Sequence, residues 1–203
     1  MKLILLHGWG FDATLWDGVR AALPEFETIA WDRGYFGEPS AEAVTGPCIA
    51  IGHSLGAMLL AGAMQESCVG LIAINGFDRF AGEGAVPPRV VERMRRRFGE
   101  APMEVLADFH TRCGGGEPPP AIRDEAALAA DLALLAEADR RGMVRVPTLV
   151  LHGAADPLLP APMRDGVFAG APCETLQEAG HLLPLTHPGW CATRIRAFAS
   201  LLA

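Results

Sequence analysis

The chain has few of the features that mark membrane, exported or nucleic-acid-binding proteins. The apolar run at residues 3–6 ends at His7, far short of the roughly 20 residues that a membrane helix needs. A formal net charge of -7 disfavours nucleic acid as the main partner. We therefore expect a soluble, cytoplasmic protein that binds neither a membrane nor nucleic acid.

Paired cysteines are also missing. The five cysteines are an odd number at irregular spacing, and no two of them form a CxxC pair. This distribution favours reduced thiols in a cytosol over a disulfide framework, with small buried side chains as their plainest role. With 203 residues, half of them hydrophobic, the chain can build one sizeable core and still carry an insertion.

Short apolar runs alternate with helix-like segments along most of the chain. This alternation is typical of a mostly parallel, doubly wound sheet with helices on both faces, an α/β fold. We predict about six strands, at residues 2–6, 28–31, 48–51, 69–74, 148–151 and 174–176. We predict helices between and after them, at residues 13–23, 55–66, 162–168 and 188–202.

The alternation stops between about residues 76 and 145. Strand-like runs vanish there, and amphipathic stretches are separated by Pro87-Pro88, by glycines at 114–116 and by prolines at 118–120. We predict that residues 1–75 and 146–203 form the α/β core, and that residues 76–145 form a small helical cap inserted into it.

Serine is rare in this chain, but one of the four serines stands between two glycines. The stretch "CIAIGHSLGAM" places Ser54 where a strand-like run meets a helix-like one. A sharp strand-to-helix turn lifts a serine hydroxyl clear of the sheet, and it needs glycines where neighbouring backbone comes close. The pattern predicts that Ser54 is a nucleophile, and a tight turn without chemistry is the alternative.

A serine nucleophile needs a histidine base and an acid that orients the histidine. In a parallel sheet of this kind both follow the serine in the chain, in loops at the carboxyl ends of later strands. Asp156 follows the strand "TLVLHG", and His181 follows the segment "CETLQEAG". We predict Asp156 as the acid and His181 as the base, with Asp32, at the end of an earlier strand, as the alternative acid.

The other five histidines fit the role of base less well. His7 and His152 lie at strand ends, His187 precedes a proline at a helix start, and His110 lies in the predicted cap. His53 is next to the serine, with its side chain directed away from it. We expect them to be structural or surface residues.

Attack on an ester carbonyl creates a negative oxygen that needs hydrogen-bond donors. The backbone N–H of Leu55, at a helix start, is one predicted donor of this oxyanion hole. The N–H of Trp9 is the second, because the glycines in "LLHGWGF" let the backbone approach a substrate. The Trp9 indole is expected to line the substrate pocket, unless the segment is only a glycine-rich turn around a buried tryptophan. This chemistry needs no cofactor and no metal.

Four stretches together resemble the α/β-hydrolase superfamily. In chain order, its oxyanion loop, nucleophile turn, acid loop and histidine loop are similar to "LILLHGWGFDATLW", "CIAIGHSLGA", "PTLVLHGAADPLLP" and "EAGHLLPLTHP". The resemblance covers residues 2–75 and 146–200. It implies an α/β-hydrolase fold and a serine carboxylesterase.

Within the superfamily, the chain looks most like the pimeloyl-acyl carrier protein methyl ester esterases of biotin synthesis. That resemblance implies a carrier-bound methyl ester as substrate, an acyl carrier protein as partner, and Phe109 on the second cap helix as a residue that lines an acyl channel. We expect a monomer. Two alternatives stay open: a general carboxylesterase, lactonase or thioesterase for small substrates, and a ligand-binding homologue without turnover.

The cap contains a basic stretch, "PPRVVERMRRRFGE", in a chain that is acidic overall. Its prolines and Gly99 frame a helix on which the apolar residues form one stripe. Four arginines share a neighbouring face: Arg89, Arg93, Arg96 and Arg97. Because acyl carrier proteins are acidic and carry a phosphorylated arm, we predict that this arginine face docks the carrier. A solvated face that serves solubility is the alternative.

Overall fold

A parallel sheet organises the computed structural model, which describes residues 1–63, 66–116 and 118–202. Its strands are β1 (Lys2–Leu6), β2 (Glu27–Trp31), β3 (Cys48–His53), β4 (Cys68–Ile74), β5 (Thr148–Gly153) and β6 (Cys173–Leu176). Their order is β2-β1-β3-β4-β5-β6, and all neighbouring pairs are parallel. The predicted α/β class and the six predicted strands are confirmed.

The apolar runs form strands because both faces of the sheet are covered. On β1, Ile4 and Leu6 belong to one hydrophobic cluster, whereas Leu3 and Leu5 belong to the other. Such a strand is buried on both sides, so it reads as a continuous apolar run rather than as an alternating one.

Helices pack on the two faces and above the sheet. They are α1 (Asp17–Ala21), α2 (Leu55–Gly62), α3 (Pro88–Glu100), α4 (Pro102–Cys113), α5 (Glu125–Glu137), α6 (Ala161–Gly166), α7 (Leu183–Thr186) and α8 (Pro188–Leu201). Within the described residues, no helix is long and apolar enough to cross a membrane.

The helices depart from the predicted ranges in three places. The predicted helix at 13–23 is a 3-10 turn, Ala13–Trp16, followed by the short α1. The helix predicted at 55–66 ends at Gly62, and residues 64 and 65 of that range lie outside the described part of the chain. The one-turn helix α7 was not predicted, because four residues are too few to show a helical period.

Three helices, α3, α4 and α5, stand between β4 and β5, in the range where the sequence predicts the cap. Their buried side chains join the cluster that covers one face of the sheet, with Phe98 from α3, Leu106 from α4 and Leu132 from α5. The exact division into a core and a cap remains a prediction.

The strand order fixes where a ligand site can form. After β1 the chain adds β2 on one side and β3 on the other, so the order reverses between β1 and β3. Open parallel sheets bind ligands at the carboxyl ends of the strands beside such a reversal. Gly8 and Trp9 follow β1, and Ser54 follows β3, so the two predicted site segments meet at this point.

Candidate active site

Ser54 occupies a strained turn between β3 and α2. Its φ of 53° and ψ of -123° lie in a region that side chains other than glycine rarely adopt. A Cβ on Gly52 would lie 2.3 Å from the backbone nitrogen of Ala57, and a Cβ on Gly56 would lie 2.2 Å from the carbonyl oxygen of Leu6. Both flanking glycines are therefore required by backbone packing, which is the physical content of the Gly-x-Ser-x-Gly pattern.

His181 and Asp156 form a buried hydrogen-bonded pair. The Nδ1 of His181 lies 2.8 Å from Oδ2 of Asp156, and both side chains are almost fully enclosed. The other oxygen of Asp156 accepts the backbone N–H groups of Leu158, at 2.7 Å, and Leu159, at 3.3 Å. The carboxylate is thus fixed from both sides, and it holds the imidazole with Nδ1 protonated.

The pKa of Asp156 is lowered. Burial by itself raises the pKa of this carboxyl, but the charge of His181, its hydrogen bond and the two backbone N–H groups outweigh burial. Asp156 therefore stays ionised at neutral pH, which its predicted role as the acid requires.

The remaining ring nitrogen of His181 is the atom that the sequence predicts as the base. Its Nε2 is buried and makes no hydrogen bond with the described residues. The His181 ring lies 4.9 Å from the ring of His53, the residue that precedes Ser54, and the His53 Nε2 donates a 2.9 Å bond to the His181 carbonyl. The hydrogen bond from His53 therefore joins the backbone of His181 to the turn that contains Ser54.

The alternative acid, Asp32, is held elsewhere. Its two oxygens accept the backbone N–H groups of Ala13, at 2.8 Å, and Gly34, at 2.7 Å. Burial would raise the pKa of Asp32, but these bonds and the neighbouring His7 bring it to about 2. Asp32 stabilises two turns, and the structure pairs Asp156, not Asp32, with His181.

The other histidines are buried or partly buried in structural positions. Burial, with the nearby His181, lowers the pKa of His53 to about 3, so His53 is a neutral donor rather than a base. Burial also lowers the pKa of His152, to about 4.

His110 and His7 both bond to the loop after β1. His110 donates through Nε2 to the carbonyl of Gly10, and His7 donates through Nδ1 to the carbonyl of Gly8 at 2.8 Å. His187 lies at the start of α8 beside Thr186.

The loop after β1 reaches the serine. A Cβ on Gly8 would lie 2.8 Å from the Cβ of Ser54, so only a glycine allows this approach. Trp9 comes next, and Leu55 is the first residue of α2. The structure therefore brings the two backbone segments that carry the predicted oxyanion donors to the same serine.

The indole of Trp9 connects this loop to the cap. It packs edge-on against Phe98 of α3, at 5.8 Å between ring centroids, and against Phe109 of α4, at 4.9 Å. Its Nε1 donates a 2.8 Å bond to the carbonyl of Leu128 in α5. The helices α3, α4 and α5 thus meet at Trp9, and Phe109 lies beside it, which is where the sequence predicts a substrate pocket.

A second bridge to the cap was not predicted from the sequence. Asp131 of α5 is fully buried. It forms a bidentate ion pair with Arg33, with hydrogen bonds of 2.7 and 2.8 Å, and it accepts a 2.5 Å hydrogen bond from the hydroxyl of Tyr35. An isolated Asp in the alanine-rich stretch of α5 gives no sign of partners nearly a hundred positions away. Only the fold brings them together.

The four predicted docking arginines lie on the outside of α3, where all of them are exposed. Arg97 pairs with Asp108 of α4 at 3.2 Å. Within the described part of the chain, Arg89, Arg93 and Arg96 form no ion pair. The opposite side of α3 is buried through Val91 and Phe98, so the predicted amphipathic orientation is present.

Asn75 is a further residue that the sequence did not single out. It follows β4, it is fully buried, and its side chain bonds to Gly153 at the end of β5 and to the backbone of Gly180 and His181.

Among the described residues there is no group of three or more His, Cys, Asp or Glu side chains that could hold a metal.

Comparison with known proteins places the chain in a family. A model of the α/β hydrolase family matches residues 3–194. The pimeloyl-[acyl-carrier protein] methyl ester esterase of Photobacterium profundum is 27% identical, over 92% of this chain and 89% of that protein. The biotin biosynthesis bifunctional protein BioHC of Cellvibrio japonicus is 26% identical over 99% of this chain, which spans only 48% of that longer protein.

Solved structures agree on the fold. A thermophilic esterase from Thermogutta terrifontis superposes with a TM-score of 0.76 at 20% identity, over 100% of this chain and 90% of that one. An esterase from Exiguobacterium antarcticum gives a TM-score of 0.77 at 15% identity, over 98% and 92% of the two chains. Because the family model spans nearly the whole sequence, this protein belongs to the α/β hydrolase family.

Proposed function

We propose that this protein, a carboxylesterase of the α/β hydrolase family, hydrolyses the methyl ester of a pimeloyl group carried by an acyl carrier protein. The observation that carries the esterase chemistry is the buried His181–Asp156 pair beside the strained Ser54 turn. The names of the similar proteins support the carrier-bound substrate.

In the proposed mechanism, the Oγ of Ser54 attacks the ester carbonyl while Nε2 of His181 takes its proton. Asp156 holds Nδ1–H and stabilises the histidine cation. The backbone N–H groups of Trp9 and Leu55 bind the negative oxygen of the tetrahedral intermediate. His181 then protonates the leaving methanol. A water molecule, deprotonated by the same histidine, hydrolyses the acyl-enzyme and regenerates the serine.

The arginine face supports a protein-borne substrate. Three guanidinium groups without ion-pair partners in the described chain stand on α3, and the same helix contacts Trp9 through Phe98. An acidic carrier that docks there would stand directly over the helix that packs on the oxyanion loop. Electrostatic attraction of this kind acts on association and orientation more than on the chemical step.

The test compares carrier-bound methyl pimelate with a short nitrophenyl ester. Changing Arg93→Glu together with Arg96→Glu should raise KM for the carrier-bound ester about tenfold, equivalent to roughly 1.4 kcal/mol, and leave the small ester unchanged. The matched control is Arg145→Glu, which reverses an exposed arginine outside α3.

Three outcomes would count against parts of this proposal. Equal effects on both substrates would exclude docking on α3. Efficient turnover of small esters without turnover of the carrier-bound ester would favour a general carboxylesterase, lactonase or thioesterase. Failure of Ser54 to react with a fluorophosphonate would favour a ligand-binding homologue.

A further inference from the structure

Asn75 is the only asparagine in the chain, and it lies at the carboxyl end of β4 between the two loops that carry the predicted acid and base. Its φ of 44° is left-handed, and its own N–H bonds to the carbonyl of Leu151 in β5 at 2.7 Å. The side chain is completely buried. A polar side chain at such a position must find partners inside the protein.

Each polar atom of the Asn75 amide reaches one of the loops. The Oδ1 accepts the backbone N–H of Gly153, the last residue of β5 before the acid loop, at 2.9 Å. The Nδ2 donates to the carbonyl oxygens of Gly180, at 2.8 Å, and of His181, at 2.9 Å. One side chain therefore bonds to the backbone of His181 itself and to the strand that leads to Asp156.

The two loops are also in direct contact, and the contact leaves little freedom. A Cβ on Gly153 would lie 2.3 Å from the carbonyl oxygen of Ala179. The N–H of Ala155 bonds to that same carbonyl at 2.9 Å. The residues from 179 to 181 thus present successive carbonyl groups toward β4 and β5, and Asn75 binds the last two of them.

We propose that Asn75 is a positioning residue that sets the distance and orientation between His181 and Asp156. This inference rests on the proposed esterase function of the same site. Asn75 does not touch the reacting atoms, but it fixes the backbone from which the imidazole extends. The 2.8 Å bond between the two catalytic side chains depends on this placement, and a displacement of about 1 Å can cost on the order of 100-fold in rate.

The chemistry of the position explains why asparagine stands there. Asparagine is one of the few residues that tolerate a left-handed backbone, and its amide supplies two donors and one acceptor in a plane. The site offers two carbonyl oxygens and one N–H. Aspartate has the same shape but would direct an oxygen at the two carbonyls. Leucine would remove all three bonds and leave the His181 carbonyl only its bond from His53.

The experiment uses two variants of the full chain. Asn75→Gly keeps the left-handed backbone without strain and removes the amide. Asn75→Asp keeps the volume and the acceptor for Gly153 but removes both donors. The matched control is Asp124→Gly, which removes the side-chain cap of α5, a bond to the N–H of Ala127, far from both loops in the chain. Thermal unfolding of all variants shows which of them are folded.

The first readout is kinetics on a short nitrophenyl ester. We expect kcat to fall about 100-fold in Asn75→Gly with KM changed less than about threefold, because geometry and not binding is lost. The control should keep wild-type kcat.

The second readout needs no substrate. The Nδ1 proton of a histidine bonded to a carboxylate gives a separate low-field proton NMR signal, which the wild type and the control should show and the Asn75 variants should lose or shift. Should the wild type hydrolyse no ester while this difference remains, the proposed function fails and the positioning role stands. Folded Asn75 variants with wild-type kcat, or with an unchanged low-field signal, would overturn the inference. If Asn75→Gly does not fold, Asn75→Asp is judged by the same criteria.

Discussion

Ser54 has a backbone conformation that few side chains adopt, and such strain is typical of functional sites. The turn places the serine against the loop after β1, and the preceding residue, His53, lies beside the ring of His181. A structural role alone gives no reason for a hydroxyl at this position, because glycine would adopt the same φ without strain.

The substitution Ser54→Ala tests the role of the hydroxyl. It removes the nucleophile, so kcat on a short nitrophenyl ester should fall by about 10⁶. The free energy of unfolding should change little, since only one oxygen atom is lost. Steady-state kinetics and urea unfolding measure the two quantities, and a variant that keeps wild-type turnover would refute the mechanism.

At the Ser54 turn, β3, α2 and the end of β1 are packed backbone against backbone. Gly56 of α2 lies against the carbonyl of Leu6, where even a methyl group has no room. By contrast, a Cβ added to Gly99 of α3 would have no neighbouring atom within 4 Å, so a methyl group would meet open space there.

Two glycine-to-alanine changes should therefore act in opposite directions. Gly56→Ala forces backbone apart and should lower the free energy of unfolding by about 3 kcal/mol or more. Gly99→Ala lies inside a helix and should raise it by about 0.5–1 kcal/mol. Urea unfolding measures both, and similar small effects at the two sites would show that the turn is not tightly packed.

Over the whole molecule, the buried histidines link stability to pH. The pKa values of His53 and His152 are lowered by burial to about 3 and about 4, against about 6.5 for an exposed histidine. At a pH between these lowered pKa values and about 6.5, the unfolded chain binds protons that the folded chain does not. The free energy of unfolding must therefore fall as the pH falls below about 6.5.

His152 is the better of the two for a test, because neither of its ring nitrogens makes a hydrogen bond with the described residues. Replacing His152 by Leu removes its proton uptake and leaves no partner unpaired. Between pH 7 and pH 5, the variant should lose about 2 kcal/mol less of its free energy of unfolding than the wild type does. Urea unfolding at the two pH values measures this difference, and equal losses would exclude the linkage.

Much of the fold follows from local patterns. Four strands, β1, β3, β4 and β5, could be predicted because each is buried on both faces and reads as a short apolar run, whereas the edge strands β2 and β6 are more exposed. The helix α3 could be predicted because the prolines at its start, its apolar stripe and its neighbouring face of arginines all indicate an amphipathic helix. The bounds of the short α1 and the one-turn α7 could not, since elements of one or two turns are set by the loops and helices that they join.

The sequence by itself determined the fold class and the candidate residues Ser54, Asp156 and His181, because strand ends and glycine-flanked turns are local signals. Only the tertiary structure decided which groups meet: Asp156 rather than Asp32 with His181, Trp9 with α3, α4 and α5, and Asn75 with Gly153 and the His181 loop. These partners are separated by 25 to 119 positions in the chain. Contacts over such distances are set by the packing of the sheet and the cap, which no single stretch of sequence records.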